Sequence, residues 1–485
     1  MRTVFLITIA ALGVGLLAFG LSQAAGQPAS AASTASAAST ASAASAVLTP
    51  GAAASSPQAV DAAAQIDRGR YLTTLGDCIA CHTPAKAEPF TGGRPLVTPF
   101  GTVLSANLTP DNATGIGRYT ASTFYRALHE GLDHEGRHLY PAFPYTNYAK
   151  LTREDSDAIY AYLHTLKPVN HAVDRNQLHF PFSIRGLMSV WNWMYFKQRD
   201  PFTPDASKTA EWNRGAYLVE GLGHCQACHT PRNFMGAAKH DEAFRGGAFD
   251  TWFAPDITPN TRIGIGAWQR QDLIEFLRTG LNAHSAASGE MGEAVGYSTS
   301  QMDDADLSAI ATYLADQPAS PMPSISPVTD SQISQGRAIW QDACAACHRE
   351  EATGVPRYFP PLKGDANLQQ SDPTTVIHYI LAGARHTPTA KAPTPLSMPS
   401  FAWKLDDAQI AAVATYARNS WGNAAPAVRS NQVADLRRKL IIAGQDVKVT
   451  PTPHDLTHPG PLTLAPADTD SRENGTLHAG NAARH

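Results

Sequence analysis

Cysteine is scarce in this chain of 485 residues. There are six, and none stands outside the words "GDCIACHT" (76–83), "GHCQACHT" (223–230) and "DACAACHR" (342–349). A disulfide framework, which scatters cysteines at longer spacings, does not fit. Charge is scarce too, at 16% of residues against 43% hydrophobic, and the formal net charge of -4 gives no hint of a nucleic-acid partner. There is no glycine-rich dinucleotide fingerprint, no convincing nucleophile–base set and no second cofactor signature, so a substrate-oxidising apparatus is missing. Methionine is rare, with eight in all, which sharpens any search for a thioether ligand. Length is ample, and several domains are expected.

The N-terminus reads as a secretory signal over residues 1–25. Arg2 precedes an apolar run from Val4 to Leu21, and small residues follow, with a cut near Ala24 or Ala25. An uncleaved anchor is the rival, because that run reaches the lower limit for a bilayer-spanning helix. Either way the folded part is exported. Residues 26–60 open with Ala/Ser/Thr repeats that cannot bury a core and read as a flexible tether.

Each word is Cys-x-x-Cys-His: Cys78, Cys81 and His82; Cys225, Cys228 and His229; Cys344, Cys347 and His348. A thioredoxin-like site needs one motif in a βαβ context, which is missing. A zinc site wants ligand pairs brought together, and three identical pairs make no obvious four-ligand set. Two thiols three residues apart on one helical turn can add to the two vinyl groups of a haem, and the adjacent histidine then faces the iron. Three covalently bound haem c groups are therefore expected, with His82, His229 and His348 as proximal ligands.

The flanks repeat as well. "DRGRYL" (67–72), "NRGAYL" (213–218) and "SQGRAIW" (334–340) each precede a word by about ten residues, and Gly69, Gly215 and Gly336 suggest a close helix crossing. Downstream, "LTREDSDAIYAYL", "MDDADLSAIATYL" and "LDDAQIAAVATYA" each start on a capping residue (Thr152, Asp303, Asp406). Three positions later stands Asp155, Asp306 or Gln409, and each ends on an aromatic, Tyr162, Tyr313 or Tyr416. The fold class implied is mainly α.

These units look like class I cytochrome c domains, three in tandem: 61–200, 201–320 and 328–425, with a tail over 426–485. The chain resembles the three-haem cytochrome c subunits of membrane-bound periplasmic dehydrogenases. The resemblance covers roughly residues 64–423, through "GGRPLVTPFGTVLSANLTPD", "LYPAFPY", "APDITP", "GEMGEAV" and "MPSFAWKLDDAQIAAVATYARNSWGN". It implies a non-catalytic electron-transfer subunit on the periplasmic side of the cytoplasmic membrane. Such a subunit passes electrons from a large dehydrogenase subunit of molybdenum, quinoprotein or flavoprotein type to ubiquinone. "ATGIGRYTASTFYRALHEG" with "LYPAFPY" looks closest to the aldehyde type, with alcohol and then gluconate or sugar dehydrogenases behind. The rivals are a self-standing peroxidase using an open first haem, and a diffusible electron shuttle.

An electron-transfer haem c usually takes Met or His as its second axial ligand. Met398, in "PLSMPSF", and Met291, in "GEMGEAV", lie between word and last helix, where the family pattern places the ligand; Met302 is the weaker alternative to Met291. In the first unit Phe143 occupies the corresponding position and cannot bind iron. Met188 is then the first choice, followed by Met194 and His138.

Three further stretches carry open readings. "HFPFSIRGLMSVWNWMYFK" (179–197) suits the headgroup level of a bilayer or a helix buried between the first two domains. "NLTPDNATGIG" (107–117) and "DITPNTRIGIG" (256–266) are either loops that wall the haem edge and donate hydrogen bonds to propionates, or plain turns. "ADLRRKLIIAG" in the tail is a candidate docking piece, and the last twenty-odd residues look disordered.

Overall fold

A computed structural model describes residues 57–447, apart from 175–176, 198–199, 326–327 and 395. The signal reading, the tether up to residue 56 and the chain from 448 lie outside the described residues.

The architecture is mainly helical, and one helix crossing recurs three times. A leader helix before each word packs on a closing helix after it. Pro57–Leu75 packs on Arg153–Leu163, Ala210–Ala216 on Asp304–Ala315, and Asp330–Ala343 on Asp407–Ala417. The glycines sit where the helices touch. A Cβ on Gly69, Gly215 or Gly336 would lie 2.9, 2.7 or 2.5 Å from the Cβ of Tyr162, Tyr313 or Tyr416. Only a residue without a side chain permits that approach.

The closing helices start where the capping pattern predicts. Thr152, Asp303 and Asp406 accept from the backbone N–H of Asp155, Asp306 and Gln409. In the third helix Gln409 also reaches back to the Asp406 N–H, closing a capping box. The carboxylates of Asp155 and Asp306 turn elsewhere, into a seam between the first two repeats.

The seam is reciprocal. Asp155, 2% exposed, accepts from Arg68 Nε at 2.8 Å and from Tyr217 of the second repeat at 2.6 Å. Asp306 accepts from Arg214 Nε at 2.7 Å and from Tyr71 of the first repeat at 2.8 Å. Asn147 Nδ2 donates to the Glu220 carbonyl at 3.0 Å, and Ser298 Oγ to the Leu75 carbonyl at 2.9 Å. One continuous core, including Leu72, Leu75, Leu151, Leu163, Leu218, Leu222, Leu307 and Leu314, runs beneath.

The third repeat has a core of its own around Trp340, Ile377, Ile410 and Val413. It meets the second through different chemistry. His378 stacks on Trp252 at 3.7 Å and bonds the Thr251 carbonyl, while His386 Nε2 bonds the Thr279 carbonyl at 2.8 Å. The helix Ser430–Ile442 belongs to this core, with Val433, Leu436, Leu440 and the Arg437 side chain buried. The core of the third unit thus extends past residue 425; within "ADLRRKLIIAG" Leu436, Arg437 and Leu440 pack inward, while Arg438, Lys439, Ile441 and Ile442 stay exposed.

Two antiparallel hairpins, Pro95–Thr98 with Gly101–Leu104 and Arg245–Phe249 with Trp252–Asp256, follow the first and second words. Between the first two repeats runs the helix Leu187–Tyr195. One face carries the buried Met188, Trp191 and Asn192, clustered with Tyr140, Tyr145 and Ala237. Its other face and the approach to it are apolar and exposed, at Ile184, Leu187, Val190, Trp193 and Met194, with Phe180 82% exposed. No helix among the described residues is long and apolar enough to cross a membrane.

Candidate functional site

Each Cys-x-x-Cys-His word forms one short helical turn directly after its leader helix. The turns span Cys78–His82, Gln226–His229 and Ala345–His348. From leader glycine to first cysteine there are nine, ten and eight steps respectively. The segment with the longest spacing, ten steps, contains a π-helical turn, Tyr217–Leu222, which accommodates an extra residue.

The three histidines share one arrangement. His82 Nδ1 lies 2.6 Å from the Ala106 carbonyl, His229 Nδ1 2.7 Å from that of Pro255, and His348 Nδ1 3.3 Å from that of Pro360. A carbonyl can only accept, so Nδ1 carries the proton and Nε2 keeps its lone pair. Burial lowers all three ring pKa values, the carbonyl bonds opposing it, which favours the neutral imidazole that binds metal. A hydrogen bond from the far nitrogen of a ligating imidazole to a backbone carbonyl fixes both tautomer and ring orientation.

The carbonyls come from the repeated turns. Ala106 and Pro255 directly precede Asn107 and Asp256. Asn107 Oδ1 accepts from the N–H and hydroxyl of Thr109, and Asp256 Oδ1 from those of Thr258. The threonine hydroxyls are engaged inside the turn, and also with Val169 and Ser320 behind it. These loops therefore aim the preceding carbonyl at the proximal ring, a role the sequence reading did not assign. The recurrence of "TP" three residues after each accepting carbonyl residue was the available signal, and the third repeat, with Pro360, lacks it.

The cysteines are free, and no disulfide joins any of them. Burial pushes the Cys78 and Cys225 thiols, and that of Cys344, up to about 12. Redox-active cysteines have the opposite tendency, a depressed pKa in an electropositive site, so a thioredoxin-like role does not fit. Paired, unactivated thiols beside a histidine with a free Nε2 fit haem c. No group of three or more His, Cys, Asp or Glu able to hold a bare metal ion occurs among the described residues.

The first two words face each other. Tyr148 links them: its hydroxyl donates to the Gly76 carbonyl at the start of the first word at 3.2 Å, and its ring stacks on His224 at the start of the second at 5.6 Å. Arg94 bridges the gap: it donates to the Ala80 carbonyl within the first word at 2.6 Å and pairs with Glu293 at 2.7 Å and Glu290 at 3.6 Å. Those glutamates flank Met291 on the helix Gly289–Tyr297, which packs on the first word.

The candidate second ligands are spread as follows. Met291 is half-buried against the shared core that Cys78, Cys225 and Phe143 also touch, whereas Met302 is a fully packed core residue. Met398 sits on a two-residue bridge, Ser397–Met398 against Ala384–Arg385, shortly before the last closing helix. Met188 is buried in the aromatic cluster that Phe143 adjoins, and Met194 is on the exposed face of the same helix. His138 Nδ1 lies 3.4 Å from Asn192 Nδ2.

Comparison with known proteins agrees with this geometry. The cytochrome c family matches residues 333–421. The chain is 38% identical over 423 residues to the gluconate 2-dehydrogenase cytochrome c subunit of Pantoea cypripedii, covering 82% of this chain and 96% of that one. It is 38% identical over 407 residues to the cytochrome c subunit of the alcohol dehydrogenase (quinone) of Gluconacetobacter polyoxogenes, covering 80% and 86%. To the fructose dehydrogenase cytochrome subunit of Gluconobacter japonicus it is 38% identical over 400 residues, covering 77% and 82%. With its Cys-x-x-Cys-His turns and carbonyl-anchored histidines, the chain belongs to this family of dehydrogenase cytochrome c subunits, whose cytochrome c fold brings covalently bound haem c.

Proposed function

We propose that the chain is a tri-haem electron-transfer subunit, three tandem cytochrome c domains that relay electrons from a partner dehydrogenase to ubiquinone at the periplasmic face of the cytoplasmic membrane. The observation that carries this reading is the proximal histidine bonded through Nδ1 to a loop carbonyl, found after every word. Haem c, when bound, supplies one-electron chemistry between ferric and ferrous iron.

The chain's own residues would do the rest. Cys78 and Cys81, Cys225 and Cys228, and Cys344 and Cys347 hold the three groups covalently. His82, His229 and His348 present a neutral Nε2. Met291 and Met398 would supply thioether donors to the second and third groups, and thioether ligation raises the potential. Met188 would supply the donor for the first, because Phe143 has no donor atom. The leader and closing helices back the sites with packed cores.

Membrane contact is supported by the exposed apolar face around Trp193, Val190 and Phe180, which suits the headgroup level of a bilayer. The partner is an alcohol- or aldehyde-oxidising subunit. A second reading, a gluconate or sugar dehydrogenase partner, is favoured equally by the relatives' identities.

Purification of the native protein tests the proposal. Mass spectrometry of the denatured chain should show three covalent haems, and a large dehydrogenase subunit should co-purify from detergent extracts. A haem count below three, or peroxide turnover by the isolated chain without any dehydrogenase, refutes it. Replacing Phe180 and Trp193 together by glutamate should release the complex into salt washes without detergent; retention on the membrane would remove that face from the reading.

A further inference from the structure

The seam between the first two repeats does more than bury surface. Its core side-chain hydrogen bonds come in pairs related by a two-fold exchange of repeats, while the Lys150–Glu220 ion pair at 3.0 Å stands outside that pattern. Tyr217 donates to Asp155 and its oxygen accepts from the Thr152 N–H; Tyr71 donates to Asp306 and accepts from the Asp303 N–H. Thr152 and Asp303 are the capping residues of the two closing helices. Asn147 and Ser298 each stand five residues before the cap, and each reaches a carbonyl of the other repeat's leader segment, Glu220 or Leu75.

The chain positions matter. Tyr71 and Leu75 lie on the helix that runs straight into Cys78, and Tyr217 and Glu220 on the turn that runs into Cys225. Each leader is thus tied to the closing helix of the opposite repeat just before its own word begins. On the far side of the words, Arg94 joins the first word to Glu290 and Glu293 of the second repeat. A word held at both ends against its neighbour has little freedom to move relative to it.

The third repeat lacks the whole set. Counted from Gly336 and the Asp406 cap, the positions of Arg68, Tyr71 and Asp155 hold Gln335, Ala338 and Gln409. Gln409 is engaged within its own capping box instead. The chemistry needed for a reciprocal seam occurs in two repeats and is missing from the third.

We propose that Tyr71 with Asp306, and Tyr217 with Asp155, are positioning residues that fix the first two haem-binding words against each other as one two-haem unit, which the third repeat joins without sharing that registration. The inference rests on the tri-haem reading above. Burial raises both tyrosine pKa values, and the phenols remain hydrogen-bond donors across the working pH range. Electron exchange falls steeply with the separation of the exchanging groups, so small departures from this registration are functionally visible.

The test uses the full-length, haem-loaded protein and the variants Tyr71→Phe, Tyr217→Phe and the double variant, which keep the rings and remove only the hydroxyls. Pulsed electron paramagnetic resonance on the oxidised protein reads the distances between irons. The expected result is a broadened shortest distance and several-fold slower electron equilibration between two of the haems. Covalent haem count, axial-ligand spectra and the third haem's potential should stay unchanged. Both single variants should broaden the same distance although they lie in different repeats. Arg153→Ala, which removes the exposed Arg153–Asp157 pair on the same closing helix, should leave every readout at the wild-type value. An unaltered distance distribution and exchange rate in the double variant overturns the inference, and so does a loss of thermal stability with those two readouts intact. A wild-type haem count other than three overturns the underlying reading instead.

Discussion

Gly215→Ala should loosen the second repeat, and the size of the effect follows from the crossing. The added methyl would stand 2.6 Å from the Ala309 carbonyl carbon and 2.7 Å from the Tyr313 Cβ, and closer still to the Ala309 oxygen. Favourable carbon–carbon contact needs about 3.5–4.0 Å, so the two helices must part by roughly 1 Å. Neither contact is a flexible side-chain end that can swing aside. Overpacking of this kind costs about 1–3 kcal/mol. Against it stands the gain of replacing glycine inside a helix, about 1 kcal/mol. The net loss is about 0–2 kcal/mol. For a unit of about 100 residues that lowers Tm by about 4–8 °C per kcal/mol. Differential scanning calorimetry on the holoprotein, alongside circular dichroism, reads the shift. Gly186→Ala is the control, because Gly186 has helical backbone angles and nothing lies within 4 Å of the Cβ it lacks. Its variant should be as stable as the wild type or slightly more so. If Gly215→Ala matches that control, the argument from close approach is wrong, and the three shared glycines need another explanation.

Two further outcomes are expected. Met188→Leu should abolish the thioether-ligation signature of one haem while leaving the other two, read by near-infrared magnetic circular dichroism; an unchanged spectrum would transfer the role to another group such as His138. The junction of the second and third repeats should weaken in acid. Burial lowers the pKa of His378 and His386 below the ordinary 6.5, with the carbonyl bonds to Thr251 and Thr279 opposing it. The unfolded chain therefore binds more protons than the folded one as pH falls below about 6.5, and stability drops with falling pH until the folded rings also protonate. The slope reaches at most about 1.4 kcal/mol per pH unit for each ring. Calorimetry from pH 7 to pH 5 should show it, and replacing both histidines by glutamine should flatten the profile; an equal slope in that variant would place the acid sensitivity elsewhere.

Much of the site was legible because haem attachment writes its geometry into adjacent residues. Two cysteines and a histidine within five positions need no tertiary information to be recognised, and neither do a capping residue and its partner three positions on. Thr152, Asp303 and Asp406 all cap as their spacing indicates. The same spacing misled about the next step. Asp155 and Asp306 read as members of local capping pairs, yet their carboxylates serve arginine and tyrosine side chains as many as 235 residues away. The helix Ser430–Ile442 likewise reads as a basic-apolar tail piece, and only its packing reveals Arg437 buried on Asp407 and three carbonyls.

The sequence alone determined what is local: three Cys-x-x-Cys-His words, and three leader and closing helices with a glycine at each crossing. Covalent chemistry and helix capping act over a few residues, so their signals survive in one dimension. The tertiary structure alone decided which carbonyls orient the histidines, that the first two words face one another across a reciprocal seam, and that the third repeat is attached through buried histidines. Those features depend on side chains meeting from distant parts of the chain. Hydrogen bonds and close packing are set by position in space, and no spacing along the sequence encodes it.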